Sequence, residues 1–233
     1  MTEILDQVLA SSGVVKYAPA HDLGSRMARL PFHLPQLHTD LLARSDGVMG
    51  YGGYFRIFGV TDAVVDMVTW NEKASWKFAW PAFLGEFFCF GETAWGDQYA
   101  YRLDDLRSNS NPPVYELDAI ELVPEQLAED FTDFLGRIFL RCCREPYDSM
   151  LVKARRKIGD LLASEHIIYA PSPLITGGHH LEHVTKMPAR AAMVVNGDLA
   201  TQLATELQTR QIARIEQYAD EHGRPRLKVH WAS

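Results

Sequence analysis

Three short segments between residues 87 and 117, separated by turn-forming sequences, constrain the fold more than any other feature of this chain. Phe87–Phe90 is a continuous apolar run, Tyr99–Leu103 alternates strictly between two faces, and Val114–Leu117 follows a pair of prolines. Such short runs are typical of β-strands. The segments between them, Glu92–Asp97 and Asp104–Asn111, are rich in residues that tolerate tight turns. The sequence therefore predicts an antiparallel meander.

The segments on either side of the meander extend it and supply a helix to cover it. The glycine-rich stretch 47–53 leads into a fourth predicted strand at Tyr54–Phe58. From Pro124 onward, apolar residues recur at spacings of three and four, which predicts a helix over 125–143. We expect this helix to pack on the sheet, so the predicted fold class is α+β, an antiparallel sheet meander flanked by helices. The side chains expected to be buried there are Phe131, Phe134 and Ile138.

Periodicity predicts further elements on both sides of this sheet. Towards the N-terminus the predicted helices are residues 2–11, residues 34–44 and a short helix capped by Asp62. Towards the C-terminus the predicted elements are a helix over 148–163, a strand over 191–195, a helix from Asn196 through Leu207, and a hairpin that pairs 212–218 with 227–231. We therefore expect an α+β domain over residues 1–145 and a smaller C-terminal α+β module over residues 146–233.

The charge balance argues against nucleic acid as a direct partner. Thirty acidic residues against 23 lysines and arginines give a formal net charge of -7, and a broad basic face for phosphate backbones is not expected. The cations between Lys153 and Lys157 are interpreted as the solvated face of a helix. The sequence contains no export signal and no apolar run long enough to span a membrane, so we expect a cytoplasmic protein with no membrane partner.

Few residues form a pattern that indicates catalysis or metal binding. His179, His180 and His183 could supply ligands to zinc or copper, but the glycines and prolines before them argue against a helical ligand pair. Glu92 and Asp97 flank Trp95 and leave an acid/base hydrolase as a minor alternative. Cys89 lies in an apolar strand, where a small hydrophobic role is expected. The sequence predicts no cofactor, no metal and no enzymatic activity.

Aromatic residues are concentrated between Trp70 and Trp80. Four of the eleven residues there are aromatic, and two interpretations are open. They could be core side chains beneath a long loop, or they could line an aromatic groove that binds a partner.

Several segments in a fixed order resemble the SUKH superfamily. The segments are LPQLHTDLLARSDGV (34–48), GYFRIFG (53–59), FFCFGETAWGDQYAYRLDD (87–105), PPVYEL (112–117) and EDFTDFLGRIF (129–139). The resemblance spans roughly residues 30–143. It implies an α+β domain without enzymatic motifs, of a kind that acts chiefly as immunity proteins against bacterial polymorphic toxins.

The C-terminal half resembles a different set of proteins. The stretch from MLVKARRKIGDLLASEHIIYAPSPLITGG to NGDLATQL is similar to the second module of GAD-like immunity proteins, which are paired with type VI secretion effectors. The segment HHLEH (179–183) and the tail 211–233 match neither family.

The resemblance implies that Glu92, Trp95, Gly96, Asp97 and Tyr99 lie at the turn after Phe87–Phe90, which such domains hold beside their concave face, and that their role there is partly structural. We therefore expect an immunity protein that binds and occludes a cognate bacterial toxin, such as a nuclease effector. The alternative is a non-enzymatic scaffold or regulator of the same fold. The predicted partner-binding residues are Trp76, Trp80, Glu92, Trp95, Asp97 and Tyr99.

Overall fold

The computed structural model describes residues 2–120, 123–203 and 211–232. Its largest element is an antiparallel sheet of seven strands in sequential order, so the predicted meander is confirmed. The strands of this sheet are β1 (Val14–Lys16), β2 (Val48–Gly50), β3 (Phe55–Ile57), β4 (Phe87–Thr93), β5 (Gln98–Arg102), β6 (Val114–Leu117) and β7 (Pro124–Ala128).

Two smaller antiparallel sheets of two strands each follow in the C-terminal half. Their strands are β8 (Glu165–Tyr169) with β9 (Val184–Pro188), and β10 (Ile212–Ala219) with β11 (Pro225–Trp231). The second pair is the predicted hairpin. The fold is therefore α+β, with a small C-terminal module that carries two sheets.

Ten α-helical segments within the described residues surround these sheets. They are α1 (Thr2–Ala10), α2 (Leu23–Met27), α3 (Gln36–Arg44), α4 (Met67–Trp70), α5 (Leu103–Ser108), α6 (Phe131–Asp133), α7 (Leu140–Arg144), α8 (Ser149–Ile158), α9 (Pro173–Thr176) and α10 (Ala189–Leu203). A π-helical stretch, Phe134–Phe139, joins α6 to α7. None of the helices in the described ranges is long and apolar enough to cross a bilayer.

The prediction that the covering helix begins near Pro124 is wrong. Pro124–Ala128 is a strand, in which Pro124 lies opposite Leu117 of β6. A proline is tolerated there because it begins an outermost strand of the sheet. The helix begins at Phe131, where the Asp130 carboxylate accepts a hydrogen bond from the Asp133 N–H at 2.8 Å.

Two further predictions of turns or caps are also wrong. Leu103–Ser108 is helical rather than a turn, with acidic residues in its first turn that suit the helix dipole. The short helix after residue 60 is capped by Asp66, whose carboxylate accepts the Val68 N–H at 2.8 Å, and not by Asp62. In both cases the reason is that an aspartate can stabilise a turn, cap a helix or lie in the first turn of a helix, and the local sequence does not decide among these roles.

The predicted strand at 191–195 is part of α10. Gly197 lies inside this helix against the indole of Trp80. A Cβ at this position would approach Trp80 Nε1 to 2.7 Å, so the glycine serves close packing. The predicted continuation of the helix to Leu207 falls outside the described residues. The predicted helix over 148–163 is shorter in the structure and ends at Ile158.

The main hydrophobic core continues from the large sheet into the C-terminal half. Phe131, Phe134 and Ile138 are buried in it, as predicted. The same cluster includes Ile167 of β8 and Met193 of α10. The domain boundary expected at residue 145 stays a prediction. Side chains from before and after this residue pack into the same core.

Candidate functional site

A cleft lined by carboxylates lies where the edge of the large sheet meets α8 and β8. It consists of two adjoining chambers of about 530 and 350 Å³, which share Trp95, Asp97 and Asp148 in their walls. Among the described residues that line the two chambers there is no lysine or arginine. We call it the acidic cleft and define it by Asp97, Glu116, Asp118, Glu125 and Asp148.

Asp97 is held rigidly in the turn between β4 and β5. Its carboxylate accepts hydrogen bonds from the Thr93 hydroxyl at 2.5 Å and from the Ala119 N–H at 2.9 Å. Burial raises the pKa of Asp97 to about 6, with smaller contributions from the negative charges of Asp118 and Asp148, although the two hydrogen bonds oppose the rise. The carboxylate is therefore close to its titration range at neutral pH.

Glu116 lies on β6, near Asp97. Burial is the largest cause that raises its pKa, and together with the negative charges of Asp97, Asp118 and Glu125 it brings the pKa to about 7. A carboxyl group with such a pKa is poised between its two forms at neutral pH. A cation that entered the cleft would stabilise the ionised form of this group and would relieve the repulsion among its neighbours.

Trp95 frames the cleft and connects it to the C-terminal half. Its ring stacks on Tyr169 of β8, with centroids 4.6 Å apart and planes inclined by 7°. Its indole N–H donates to the Asp148 carboxylate at 3.0 Å. Asp148 also caps α8 by accepting the Met150 N–H at 2.7 Å, so one carboxylate fixes both the helix and the indole.

A fully buried ionic network lies next to the cleft. The Glu92 carboxylate accepts a hydrogen bond from Arg56 at 2.8 Å and from Gln98 at 3.1 Å, and it forms an ion pair with His166 Nε2 at 2.9 Å. Burial alone would raise the pKa of Glu92, but the positive charges of His166 and Arg56, with the side-chain hydrogen bonds of His166 and Gln98, outweigh it and hold the pKa below its ordinary value.

This network ties the large sheet to the C-terminal half of the chain. Arg56 of β3 donates to the carbonyl of Gly53 at 2.9 Å and, across the chain, to the carbonyls of Ala163 at 2.9 Å and Glu165. Removal of its guanidinium would leave these carbonyls without a donor and would take away the arginine cation that pairs with the buried Glu92 carboxylate. The role of the network is therefore to hold the two halves together.

The structure separates the six predicted partner-binding residues into two groups. Trp76, Trp80, Glu92 and Tyr99 are buried and offer no surface to a partner in this fold. The Trp80 indole donates to the carbonyl of Met193 at 2.8 Å. Of the two interpretations of the aromatic cluster, the core interpretation therefore holds for Trp70, Trp76 and Trp80, because all three rings are buried.

The other two predicted residues, Trp95 and Asp97, are partly exposed and lie together in the walls of the cleft. Glu92, which was paired with Asp97 in the hydrolase alternative, is enclosed instead in the ionic network. The structure therefore does not bring these two carboxylates to a common accessible surface.

The histidines of the segment 179–183 do not converge. His179 packs beside Tyr169, with ring centroids 5.1 Å apart, whereas His180 and His183 contact each other at 5.4 Å. Within the ranges that the structure describes, no group of three or more histidine, cysteine, aspartate or glutamate side chains is placed to hold a metal ion. Burial raises the pKa of the Cys89 thiol to about 11, which fits its predicted role as a small hydrophobic residue.

Sequence reasoning missed Glu116, Asp118, Glu125 and Asp148 as residues of the site. A local signal existed for the first two, because both are acidic and Asp118 follows Glu116 by two residues at the end of a strand, the spacing that places side chains on one face of extended backbone. Asp148 could be recognised only as a helix cap. Its convergence with Glu116 of β6 and with Asp118 after that strand depends on the packing of α8 into the main core.

Comparison with known proteins identifies a structural neighbour. No family model and no curated protein matches the sequence. Atu4351 of Agrobacterium tumefaciens, a solved crystal structure, is similar to this chain with a TM-score of 0.56 and 10% sequence identity. The similarity covers 97% of this chain and 96% of that one. At this identity the likeness shows a shared fold over nearly the whole of both chains.

Proposed function

We propose that this protein is a cytoplasmic, non-enzymatic immunity protein that binds one cognate toxin stoichiometrically and occludes its active site. The observation that carries the proposal is the acidic cleft, framed by Trp95 and lined by five carboxylates without a lysine or arginine among its described wall residues. The resemblance of the sequence to SUKH and GAD-like immunity proteins points to the same class of function.

The chemistry of the cleft favours a cationic partner surface. Its carboxylates include two with raised pKa values, and part of each rise comes from repulsion by neighbouring carboxylates, which a guanidinium or ammonium group would relieve. A toxin that cleaves nucleic acid must present a cationic groove to its substrate. Side chains such as Glu125 and Asp118 could then occupy the positions of substrate phosphates.

The aromatic residue beside the carboxylates, Trp95, is expected to slow dissociation of the complex. Trp95 is preorganised by its stacking on Tyr169 and by its hydrogen bond to Asp148. A rigid, partly exposed indole loses little conformational entropy on binding, which is typical of interface hot spots. The carboxylates are thus expected to speed association, and Trp95 to prolong the complex.

Binding rather than catalysis is proposed because the hydrolase alternative is not supported by the geometry. Glu92 has both carboxylate oxygens engaged by Arg56, His166 and Gln98 inside the protein. The remaining alternative, a scaffold or regulator with a host protein partner, would use the same cleft. It differs from the immunity proposal in predicting no protection against a toxin.

Co-expression with the candidate toxin encoded by the neighbouring gene tests the proposal. Cells that carry both genes are expected to survive, and cells that carry the toxin alone are expected to die. Glu125→Lys, which reverses a charge at an exposed cleft position, is expected to reduce protection and to slow association by about tenfold or more at low salt. Trp95→Ala is expected to cost about 2–4 kcal/mol of affinity in calorimetry.

Glu86→Lys is the matched control, because Glu86 is exposed and lies outside the cleft. Circular dichroism must show an intact fold for each variant. Equal killing with and without the wild-type protein would refute the immunity proposal. Full protection by Glu125→Lys and Trp95→Ala together would place the interface elsewhere on the protein.

A further inference from the structure

The two outer edges of the β10–β11 hairpin differ in how their backbone groups are satisfied. The edge of β11 is covered by side chains of α10. The Leu227 N–H donates to Asp198 at 2.7 Å, and the Val229 N–H donates to Gln202 at 2.9 Å. Gln202 in turn donates to the Leu227 carbonyl at 2.9 Å. This edge is therefore closed to any further strand.

The outward-facing groups of β10 can be deduced from the hairpin register. The Asp220 N–H donates to the Arg224 carbonyl at 3.0 Å, and Ala219 lies opposite Pro225, which has no N–H. Because hydrogen-bonded and non-hydrogen-bonded pairs alternate, Ile215, Gln217 and Ala219 direct their backbone groups away from β11. The same alternation explains why Leu227 and Val229 donate to α10.

This outer edge of β10 is open. Within the part of the chain that the structure describes, no backbone hydrogen bond reaches it from outside the hairpin. Seven of the eight residues of β10 are exposed, including Ile215 at 39% and Tyr218 at 40%. An exposed edge of this length is a template for pairing with another strand.

We infer that β10 pairs with β10 of a second copy of this chain, in an antiparallel two-fold arrangement centred on Ile215. In this register Ile215 lies opposite Ile215 of the second copy. Arg214 lies opposite Glu216 of the second copy, and the symmetry repeats this pair. The interface is isologous, so it closes as a dimer and joins two hairpins into one four-stranded sheet.

Charge selects this register over its neighbours. A two-fold axis moved by one residue would place Arg214 opposite itself or Glu216 opposite itself, and like charges directly opposite one another are destabilising. An axis at Gln217 would lose the isoleucine pair and would place Glu216 opposite Tyr218 instead of a cation. The register centred on Ile215 combines an apolar pair with two opposite-charge pairs.

The charges also make the inference testable without disrupting the fold. Arg214 and Glu216 are exposed and pair with each other within the chain at 2.9 Å. Light scattering after size-exclusion chromatography is expected to give twice the chain mass of 26.3 kDa for the wild type at high micromolar concentration. Arg214→Glu and Glu216→Arg, measured separately, are each expected to give the mass of one chain, because each places like charges opposite one another.

Mixing the two variants in equal amounts is the decisive measurement. The Arg214→Glu chain presents two acidic residues and the Glu216→Arg chain presents two basic ones, so their mixture is expected to recover the dimer mass. The double variant, Arg214→Glu with Glu216→Arg, is expected to form dimers alone. Glu221→Arg, in the hairpin turn, is the control and should leave the dimer intact.

Two outcomes would overturn the inference. A wild-type protein that has the mass of one chain at every concentration would show that β10 does not pair with itself. A wild-type dimer whose single variants stay dimeric would place the interface elsewhere on the protein. Circular dichroism of each variant verifies that a change in mass does not arise from unfolding.

Discussion

Neutralising Glu116 is expected to stabilise the folded protein at pH 8 and to leave it unchanged at pH 4.5. Glu116 is largely buried beside Asp97, Asp118 and Glu125, and its pKa rises from the ordinary 4.5 to about 7. The folded state therefore favours the protonated side chain. Glu116→Gln keeps the shape of that side chain and removes the charge.

The sign and size of the effect follow from linkage between protonation and folding. Since the folded pKa lies above the unfolded one, the favourable contribution is fully present below pH 4.5 and is lost as the pH rises through about 7. The shift corresponds to about 3 kcal/mol between these limits. Solvent screening at a partly exposed carboxyl group and relaxation of its neighbours reduce this, so we expect a stabilisation of about 1–2 kcal/mol at pH 8.

Urea denaturation followed by circular dichroism at pH 4.5 and pH 8 measures the difference in the free energy of unfolding. Glu86→Gln is the matched control, because it removes an exposed carboxylate outside the cleft. Its effect should be below about 0.5 kcal/mol at both pH values. Equal stability of Glu116→Gln and wild type at pH 8, or a loss of stability, would refute the electrostatic account of the cleft.

Two other predictions concern the interior. Glu92→Gln is expected to lower the free energy of unfolding by about 3 kcal/mol in urea melts at pH 7, because it leaves the buried Arg56 without a counter-charge. Asp104→Asn, which removes an exposed ion pair, is the control and should lower it by less than about 1 kcal/mol. The Glu92 pKa is lowered in the folded state, so its contribution is present above the ordinary glutamate pKa of 4.5 and should vanish as the pH falls through the folded pKa. A stability difference between wild type and Glu92→Gln that does not shrink with falling pH would contradict this. Phe134→Ala is expected to cost about 3–5 kcal/mol, because its fully buried ring packs edge-on against Phe90 and Tyr99, and a loss below about 1 kcal/mol would mean that the site can collapse around the missing ring.

Local sequence patterns were sufficient to predict the elements that pair with segments close to them in the sequence. The strands of the meander and the terminal hairpin are short alternating or apolar runs between turn residues, and each pairs with a neighbour close in sequence. The burial of Phe131, Phe134 and Ile138 follows from helical spacing in the same way. The part of the site that was predicted, Trp95 and Asp97, lies within one turn of the chain.

Tertiary structure alone decided the rest, because long-range packing overrides local preference. Pro124 begins a strand since β6 offers it an edge to pair with, and Gly197 lies inside a helix since Trp80 needs the space. The sequence gives no reason to expect different environments for the carboxylates of Glu92 and Asp97. In the folded protein, however, Glu92 is buried between Arg56 and His166. The acidic cleft forms because a folded sheet and a packed helix bring carboxylates from four separate segments together, at a cost in electrostatic repulsion that no single segment reveals.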